Sequence, residues 1–284
     1  MLRVIINADD LGISPIVNKA IGKALKAGHI TSSTILANSN YWDDIHNIVN
    51  ENPHASFGIH LNLTEGKCLS DARIFRKYDV VDDENQFTKK IRCVKHLNQE
   101  LLEAIEKEWD AQISKVVEIE RIAITHLDGH HHIHADFPFK EIIVKLLQKY
   151  NISIIRNRYI YPLSKPSKLM LNIISYLPSN IVYSFTKMLS SNRYVSIIKN
   201  YTEGQLWKQR IQEYAFLTYY FDSYEHFSSL MQCYYNISDD VIVELMCHPG
   251  HENYLEEYKM IELHLLEKLI PNVELVSYKI FINK

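Results

Sequence analysis

The sequence lacks an uninterrupted apolar run long enough to cross a membrane. A transmembrane helix needs about 18 consecutive apolar residues, and the most apolar stretch, residues 169–189, is interrupted by residues such as Asn172, Asn180 and Lys187. We expect this stretch to form a pair of core-facing helices, with a membrane-surface or dimer contact as the alternative. The first residues enter a strand at once and show neither a cationic leader nor a cleavage site. We therefore expect a cytoplasmic protein without a membrane partner.

Cysteine clusters and an excess of one charge are also absent. The cysteines at positions 68, 93, 233 and 247 form no CxxC pair, which is typical of reduced thiols in a cytoplasm rather than of a disulfide framework. The 31 basic and 34 acidic side chains give a formal net charge of -3 and form no dense basic run. This balance argues against nucleic acid as a partner.

The sequence contains a regular alternation of strand-like and helix-like segments. Predicted strands cover residues 2–8, 33–37, 55–63, 122–127, 152–155, 241–246 and 273–282. Predicted helices cover residues 15–26, 42–49, 94–119, 139–149 and 255–269, with an aromatic-rich helical region at 205–235. Ser14 is the predicted N-cap of the first helix, with Pro15 at its first position. The order predicts an α/β fold in one domain, residues 1–284, with a helical insertion near residues 163–201.

Four of the predicted strands end at or contain residues that can bind metals or transfer protons. They are associated with Asp9 and Asp10, with His60, with residues 126–134, and with Cys247 and His248. In a parallel α/β sheet the carboxyl ends of the strands meet over one cleft. The pattern therefore indicates an enzyme.

The aspartate pair precedes Leu11 and Gly12, where a turn can direct both carboxylates into the cleft. One carboxylate can then bind a cation while the other remains available as a base. The alternative is that Asp10 or Ser14 only caps the following helix. His60, taken alone, is more often a hydrogen-bonded structural residue than a ligand.

The nine residues 126–134 contain five histidines and one aspartate. In an extended chain every second side chain points to the same side. That set comprises Asp128 and the histidines at 126, 130, 132 and 134. Because neutral imidazole is a common ligand of divalent transition metals, the stretch predicts a metal site. Its position inside the chain argues against an expression tag.

His248 lies where a predicted strand gives way to the Pro249-Gly250 turn. Glu244 has the same strand parity, so we expect its carboxylate near the imidazole. A neighbouring carboxylate raises the pKa of an imidazole and suits the ring to donate a proton. A histidine in a surface turn is the alternative.

Four sequence blocks together resemble the signature blocks of the YdjC/ChbG carbohydrate deacetylases. They read NADDLG at residues 7–12, GIHLNLTEG at 58–66, HLDGHHHIH at 126–134 and ELMCHPG at 244–250. The blocks occur in the order of the family and span almost the whole chain. The resemblance implies a distorted (β/α) barrel of about seven to eight strands, related to the polysaccharide deacetylases of the NodB type, in a metal-dependent homodimer.

The resemblance also implies roles for individual residues. The metal ligands would be Asp10, His60 and His130. The general base would be Asp9 and the general acid His248. As a separate expectation, not taken from the resemblance, we assign Asp128, Arg156 and Glu244 to substrate binding. The implied reaction is the release of acetate from an acetylated amino sugar or a short, chitooligosaccharide-like substrate.

The resemblance and the chemistry of the ligands favour different metals. Family members are often described with Mg²⁺, whereas mixed carboxylate and imidazole ligands favour Zn²⁺ or another transition metal such as Mn²⁺, Co²⁺ or Ni²⁺.

Family members also commonly carry an Arg-x-Pro-x-Glu-like stretch after the strand that follows the histidines. Residues 156–160 of this chain read RNRYI and lack the proline and the glutamate.

Two other classes of function are compatible with the same residues. Clustered histidine and aspartate at strand ends also suit a metal-dependent phosphoesterase. A non-catalytic metal- or sugar-binding protein is the second alternative, although such a protein would have no need of both a base and an acid.

Overall fold

The computed structural model describes residues 2–94, 97–156, 214–217, 242–262, 268 and 273–281. Its strands are Leu2–Leu11 (β1), Ser32–Ile35 (β2), Ser56–Leu61 (β3), His126–Gly129 (β4), Tyr214–Leu217 (β5), Ile242–Cys247 (β6) and Val273–Leu275 (β7). Its α-helices are Pro15–Lys26 (α1), Trp42–Glu51 (α2), Arg73–Lys77 (α3), Gln99–Ser114 (α4), Lys140–Lys149 (α5) and Leu255–Glu262 (α6). The predicted insertion near residues 163–201 lies outside the described residues.

The strands form one parallel sheet in the order β4-β3-β2-β1-β6-β5. β7 pairs with the beginning of β1, at Leu2 to Val4, whereas β2 pairs with its end, from Asn7 onward. Every residue of β2 and β3 is buried, as expected for parallel strands covered on both faces. The parallel α/β fold predicted from the alternation of elements is confirmed.

Helix α1 shows how the local sequence sets an element. The Ser14 side chain accepts a hydrogen bond from the backbone nitrogen of Val17 at 3.3 Å, and Pro15 occupies the first helical position. Val17, Ile21 and Leu25 recur at helical spacing and are buried against the sheet. Both the predicted bounds of α1 and its predicted cap are confirmed.

The sheet is curled, because an arginine beside β4 reaches carboxylates on distant strands. Arg156 follows the bridge between Leu127 and Ile155, next to β4, yet it contacts Asp9 of β1 and Glu244 of β6. Three strand spacings of roughly 4.8 Å would separate β4 from β1 by about 14 Å in a flat sheet. One side chain cannot span that distance, so the strands wrap around a common interior.

Three predicted elements differ from the structure. The strand predicted at 122–127 begins later, at His126, and continues to Gly129. The segment predicted as helical at 205–235 contains β5, whose sequence YAFL includes two aromatic residues of the kind that favour strands. The last strand ends at Leu275 and a 3₁₀ turn, Tyr278–Phe281, follows it.

Two other predicted elements also differ from the structure in their bounds. The helix predicted at 94–119 begins at Gln99, after the Asn98 N-cap, and ends in a π-helical turn, Lys115–Ile119. The strand predicted at 152–155 is reduced to the isolated bridge at Ile155. Among the described helices, none combines the length and apolar character that a membrane span requires.

Gly58 packs tightly against the His126 ring in the interior of the curled sheet. A Cβ atom on Gly58 of β3 would lie 2.6 to 2.8 Å from ring atoms of His126, whose ring stacks on Tyr278 at a centroid distance of 3.8 Å. We expect Gly58→Ala to lower the free energy of unfolding by about 1–3 kcal/mol, since the ring has little space to move. Urea unfolding followed by circular dichroism measures this change.

The matched control is the same substitution in a His126→Ala background, where the ring is gone. There Gly58→Ala should cost little further stability. An equal loss in both backgrounds would contradict the assigned contact.

Candidate active site

The carboxyl ends of β1, β3, β4 and β6 meet around one cavity with a volume of about 260 Å³. Its lining residues are Asp9, Asp10, Ile13, His60, Glu65, Lys89, His130, His131, His132, Met246, His248, His251, Asn253 and Tyr254. The five residues assigned from sequence to metal binding and proton transfer are all among them. The structure therefore brings residues from four separate sequence blocks to one place.

The backbone at the end of β1 turns both aspartates toward this cavity. The pairing of β1 with β2 is regular as far as Ala8 and shifts before Leu11. Asp10 has a φ of 70°, a left-handed conformation that aspartate adopts more readily than most residues. Neighbours on a regular strand would point to opposite faces, whereas here both aspartates line the cavity. The predicted turn is therefore confirmed. The α1 cap is Ser14, which leaves Asp10 for the cavity.

Asp10 lies against two imidazole nitrogens. Its Oδ1 is 2.8 Å from His130 Nδ1 and 3.2 Å from His60 Nε2. The three ligand atoms lie within 4.8 Å of one another, and all three residues are buried. Two ligands bound at about 2.1 Å to the same ion are separated by roughly 3.0–3.4 Å. The observed spacing therefore suits a shared cation.

The hydrogen bonds of these residues also favour a shared cation. Among the described residues, no donor is aligned for a hydrogen bond with the buried Asp10 Oδ1. His60 Nδ1 lies 2.6 Å from Asp128 Oδ1, which leaves Nε2 facing Asp10. A carboxylate behind an imidazole fixes the ring and makes its other nitrogen a better ligand. A carboxylate oxygen with two imidazole nitrogens close to it, but not aligned with it for hydrogen bonding, fits a shared metal ion.

Two other groups of possible ligands lie nearby but are less suitable. Asp9, His60 and Asp128 form one group, yet Arg156 binds both carboxylate oxygens of Asp9. In the group of Glu65, His130 and His131, Glu65 forms an ion pair with Lys89, and Thr64 Oγ1 lies 2.9 Å from His131 Nδ1. These competing contacts favour Asp10, His60 and His130 as the candidate ligand set.

The electrostatics of this set favour a positive ion. Burial raises the pKa of Asp10, but the charge of His130 and contacts with other imidazoles hold it well below its usual value. Burial also disfavours the His60 imidazolium, yet Asp128 and Asp10 raise its pKa to about 10. Burial lowers the pKa of His130, but Asp10 and Glu65 together raise it above its usual value. Without a metal these imidazoles hold protons, which a bound cation would displace.

Arg156 lies beneath the cavity and contacts three carboxylates. Its Nη1 and Nη2 donate to the two oxygens of Asp9 at 2.6 and 2.7 Å, and its Nε donates to Glu244 Oε1 at 2.7 Å. Nη1 also lies 2.8 Å from Asp128 Oδ2. Asp128, Arg156 and Glu244 are almost completely buried and do not line the cavity. The structure thus places the three predicted substrate-binding residues behind the site.

The carboxylate beside His248 is Glu257 and not Glu244. Glu257 Oε2 accepts a hydrogen bond from the His248 backbone nitrogen at 2.7 Å and lies 3.2 Å from His248 Nδ1. Burial disfavours the imidazolium, but Glu257 raises the pKa of His248 to about 9. The predicted partner was wrong because Glu244 points toward Arg156; burial raises the pKa of Glu244 to about 7 against the opposing charge of that arginine.

The histidine stretch does not form one extended row. After β4 the chain enters a 3₁₀ turn, His130–Ala135, in which His131 and His132 have φ values of 53° and 58°. The parity prediction fails beyond Gly129 for this reason. Of the stretch, only His130 contacts Asp10.

Two of the remaining histidines support the site from behind. His126 stacks on Tyr278, and burial lowers its pKa to about 3, so this ring is neutral. His134 Nε2 lies 2.9 Å from the backbone oxygen of Arg156. These two histidines therefore contact the interior of the fold, and neither belongs to a group of possible metal ligands among the described residues.

Several residues of the site were not assigned from sequence, and four of them carry or contact its charged groups. These four are Glu65, His251, Tyr254 and Glu257. His251 and Glu65 lie within or next to the recognised blocks, so their proximity along the chain was a usable signal. Glu257 lies in α6, nine residues after His248, and nothing in its local sequence distinguishes it from an exposed helix glutamate.

Comparison with models of protein families shows to which family the chain belongs. The model of the family described as YdjC-like protein matches residues 3–269. The chain belongs to the YdjC-like family. The family predicted from the four sequence blocks is thereby confirmed.

Curated relatives of the YdjC-like chain carry the name carbohydrate deacetylase. The protein from Clostridium beijerinckii is 35% identical over 153 residues, which cover 54% of this chain and 59% of that protein. The protein from Brevibacillus brevis is 33% identical over 54% of this chain and 58% of that protein. These matches span less than two thirds of those relatives. A relative from Halalkalibacterium halodurans is 26% identical over 97% of this chain and all of that protein.

A solved structure supports the fold of this YdjC-like chain. The crystal structure of an Enterococcus faecalis protein, titled a cellobiose-phosphate cleavage protein, superposes with a TM-score of 0.66. It is 20% identical in sequence, and the match covers 99% of this chain and 98% of that one. At this identity the likeness shows the α/β fold alone.

The Glu257 contact generates a prediction about His248. Glu257→Gln should lower the pKa of His248 from about 9 toward 6.5, because the neutral amide no longer stabilises the imidazolium. The imidazole resonances recorded by NMR across pH 5–10, and assigned with His248→Gln, measure the change. Glu252→Gln, an exposed substitution in the same turn, is the matched control.

The same substitution tests the linkage between protonation and folding. The folded-state pKa of His248 is raised, so its ion pair stabilises the fold fully below pH 6.5 and this contribution is lost as the pH rises through about 9. Glu257→Gln should remove that part of the pH dependence of unfolding. A His248 titration unchanged by Glu257→Gln would refute both expectations.

Proposed function

We propose that this chain is a metal-dependent carbohydrate deacetylase. It would hydrolyse the N-acetyl group of an acetylated amino sugar or short oligosaccharide and release acetate. The observation that carries the proposal is that Asp9 and His248 line the same cavity as the Asp10, His60 and His130 cluster. The curated relatives named carbohydrate deacetylase support the choice of substrate class.

The donor set supports a divalent metal as the cofactor. Asp10, His60 and His130 would hold the ion, and their mixture of carboxylate and imidazole favours Zn²⁺ or another transition metal over Mg²⁺. When bound, such an ion acts as a Lewis acid toward a carbonyl oxygen and lowers the pKa of water.

Asp9 has the contacts expected of a positioned general base. Arg156 binds both of its carboxylate oxygens, and Asn7 Nδ2 donates to Oδ1 at 2.8 Å. These bonds fix the direction of the carboxylate toward the cavity. In the proposed reaction Asp9 takes a proton from a water molecule as that water attacks the acetyl carbonyl carbon.

His248 has the contacts expected of a general acid. Glu257 engages Nδ1 and favours the imidazolium, so Nε2 would carry the proton to the substrate. An amine leaves readily only when its nitrogen is protonated as the C–N bond breaks. Donation by His248 gives the free amino sugar, and acetate is the second product.

The cavity leaves room for a small polar substrate. Lys89, Asn253 and Tyr254 line the cavity and contribute hydrogen-bonding groups and one aromatic ring. Sugar rings commonly pack their C–H faces on such a ring while their hydroxyl groups bind polar side chains. The predicted homodimer and the cytoplasmic location stay predictions.

The role of Asp9 is tested by Asp9→Asn. We expect acetate release from N-acetylglucosamine and its short β-1,4 oligomers to fall by about 10²–10⁴-fold, because the amide cannot accept the proton. Metal content should stay at the wild-type level, since Asp9 is not among the proposed ligands. Asp43→Asn, on the exposed face of α2, is the matched control, and circular dichroism checks the fold.

The ligand assignment is tested separately by His130→Ala. We expect the purified variant to lose most of its bound metal and its activity, because one of the two imidazoles beside Asp10 Oδ1 is removed. Elemental analysis of protein purified without added metal gives the result. Full metal occupancy in this variant would contradict the assignment.

The same assays separate the alternatives. Release of phosphate from sugar phosphates with no acetate from any acetylated sugar would point to a phosphoesterase. Sugar binding without either product, at every pH and metal tested, would point to a binding protein.

A further inference from the structure

The turn that directs Asp10 into the cavity is held at Gly12 by two buried side chains. The Gly12 backbone nitrogen donates to Asn18 Oδ1 at 2.7 Å, and the Gly12 backbone oxygen accepts from Ser39 Oγ at 2.7 Å. Asn18 belongs to α1, whereas Ser39 lies between β2 and α2. Both backbone polar groups of Gly12 are therefore fixed by separate parts of the chain.

Gly12 has the backbone conformation that this close approach requires. Its φ is 103°, and a Cβ atom there would lie 2.9 Å from Ser39 Cβ and Oγ. Only glycine combines such a φ with such a contact. The Ile13 backbone nitrogen donates to the Asp10 backbone oxygen at 3.0 Å and closes the turn. The two side-chain hydrogen bonds to Gly12 thus act on the same turn that contains Asp10.

The conformation of Asp10 depends on this turn. Its φ of 70° lies in the left-handed region, where a residue with a side chain persists only when the surrounding structure fixes it. In an ordinary strand conformation Asp10 would point to the opposite face from Asp9. The short distances from Asp10 Oδ1 to His60 and His130 therefore require that the turn be held.

The helix itself does not account for Asn18. Asparagine is a poor helix former, and here it is buried on the same face of α1 as Ile21 and Leu25. A buried amide lowers stability unless it is hydrogen-bonded. Its side chain bonds to Gly12 and, at 3.3 Å, to Asp44 Oδ2 of α2. Both bonds join α1 to other parts of the chain, and the shorter one holds the turn of Asp10.

We propose that Asn18 and Ser39 are positioning residues for Asp10. They hold Gly12, and through it the turn that keeps Asp10 Oδ1 close to His60 Nε2 and His130 Nδ1. Neither Asn18 nor Ser39 lines the cavity, so both act without touching metal or substrate. This inference rests on the proposed function, because it takes Asp10 as a ligand of the proposed ion.

The test measures metal binding by the full chain after metal removal. Zn²⁺ affinity is obtained by competition with a chromophoric chelator, and Co²⁺ coordination from its visible absorption. Asn18→Leu removes the acceptor of the Gly12 amide at similar side-chain size, and Ser39→Ala removes the donor to the Gly12 carbonyl. We expect each variant to bind Zn²⁺ at least about tenfold more weakly. We also expect an altered Co²⁺ spectrum, since a displaced carboxylate changes the coordination geometry.

Two control variants separate positioning from a general loss of stability. Asn52→Leu removes another buried amide hydrogen bond, from Asn52 Nδ2 to the Ile48 backbone oxygen at 2.8 Å, and Asn52 does not line the cavity. Ser39→Thr keeps the hydroxyl group that donates to Gly12. We expect both controls to retain the wild-type affinity and spectrum, and urea unfolding compares the stability of all four variants.

Wild-type affinity and spectrum in Asn18→Leu and Ser39→Ala would overturn the proposal. An equal loss of affinity in Asn52→Leu or in Ser39→Thr would also overturn it, because the effect would then follow stability or packing and not the hydrogen bonds to Gly12. If Asn18→Leu does not fold, the comparison of Ser39→Ala with Ser39→Thr decides.

Failure of the inference and failure of the proposed function give different results. A wild-type protein that binds no divalent metal at the site would remove both. Equal metal binding by the wild type, Asn18→Leu and Ser39→Ala would remove only the inference. Metal binding that both variants weaken, without acetate release from any acetylated sugar, would remove only the deacetylase proposal.

Discussion

The position of Arg156 is the constraint on which the rest of the site depends. Its guanidinium contacts Asp9 of β1, Asp128 of β4 and Glu244 of β6, and these contacts are possible only in a curled sheet. Burying each of these charges costs several kcal/mol, which is recovered only when geometry and hydrogen bonding are nearly complete. The arginine meets that requirement by donating hydrogen bonds to Asp9 and Glu244 and by forming an ion pair with Asp128. The curl of the sheet and the direction of the Asp9 carboxylate are therefore set by the same interaction.

The charge of the interior explains why a cation suits the site above it. Arg156 cannot neutralise Asp9, Asp128 and Glu244 together, and the pKa of Glu244 rises to about 7 as a result of its burial. The excess negative charge also reaches His60, whose pKa is raised to about 10. A metal ion and the protons on the imidazoles are alternative ways of meeting the same charge. Metal binding should consequently release protons and weaken as the solution becomes more acidic.

Sequence alone predicted the parts of the fold that depend on local signals. Helix α1 was predictable because Ser14 and Pro15 mark its start and apolar residues recur along one face. β5 was not, since a four-residue strand carries little local signal and is formed by its pairing with β6. Among the site residues, Glu257 was missed because its contact with His248 depends on how α6 packs, which no local pattern encodes.

The same distinction separates the two layers of the site. His60 and Asp128 lie opposite each other on neighbouring strands, so parity and register together account for their 2.6 Å contact. Asp10 and His130 instead lie where β1 and β4 end, beside or within turns with positive φ, at Asp10 itself and at His131 and His132. A period of two cannot describe such turns. The supporting layer and His60 therefore follow from strand geometry, whereas the two other proposed metal ligands, Asp10 and His130, follow from the turns at the ends of their strands.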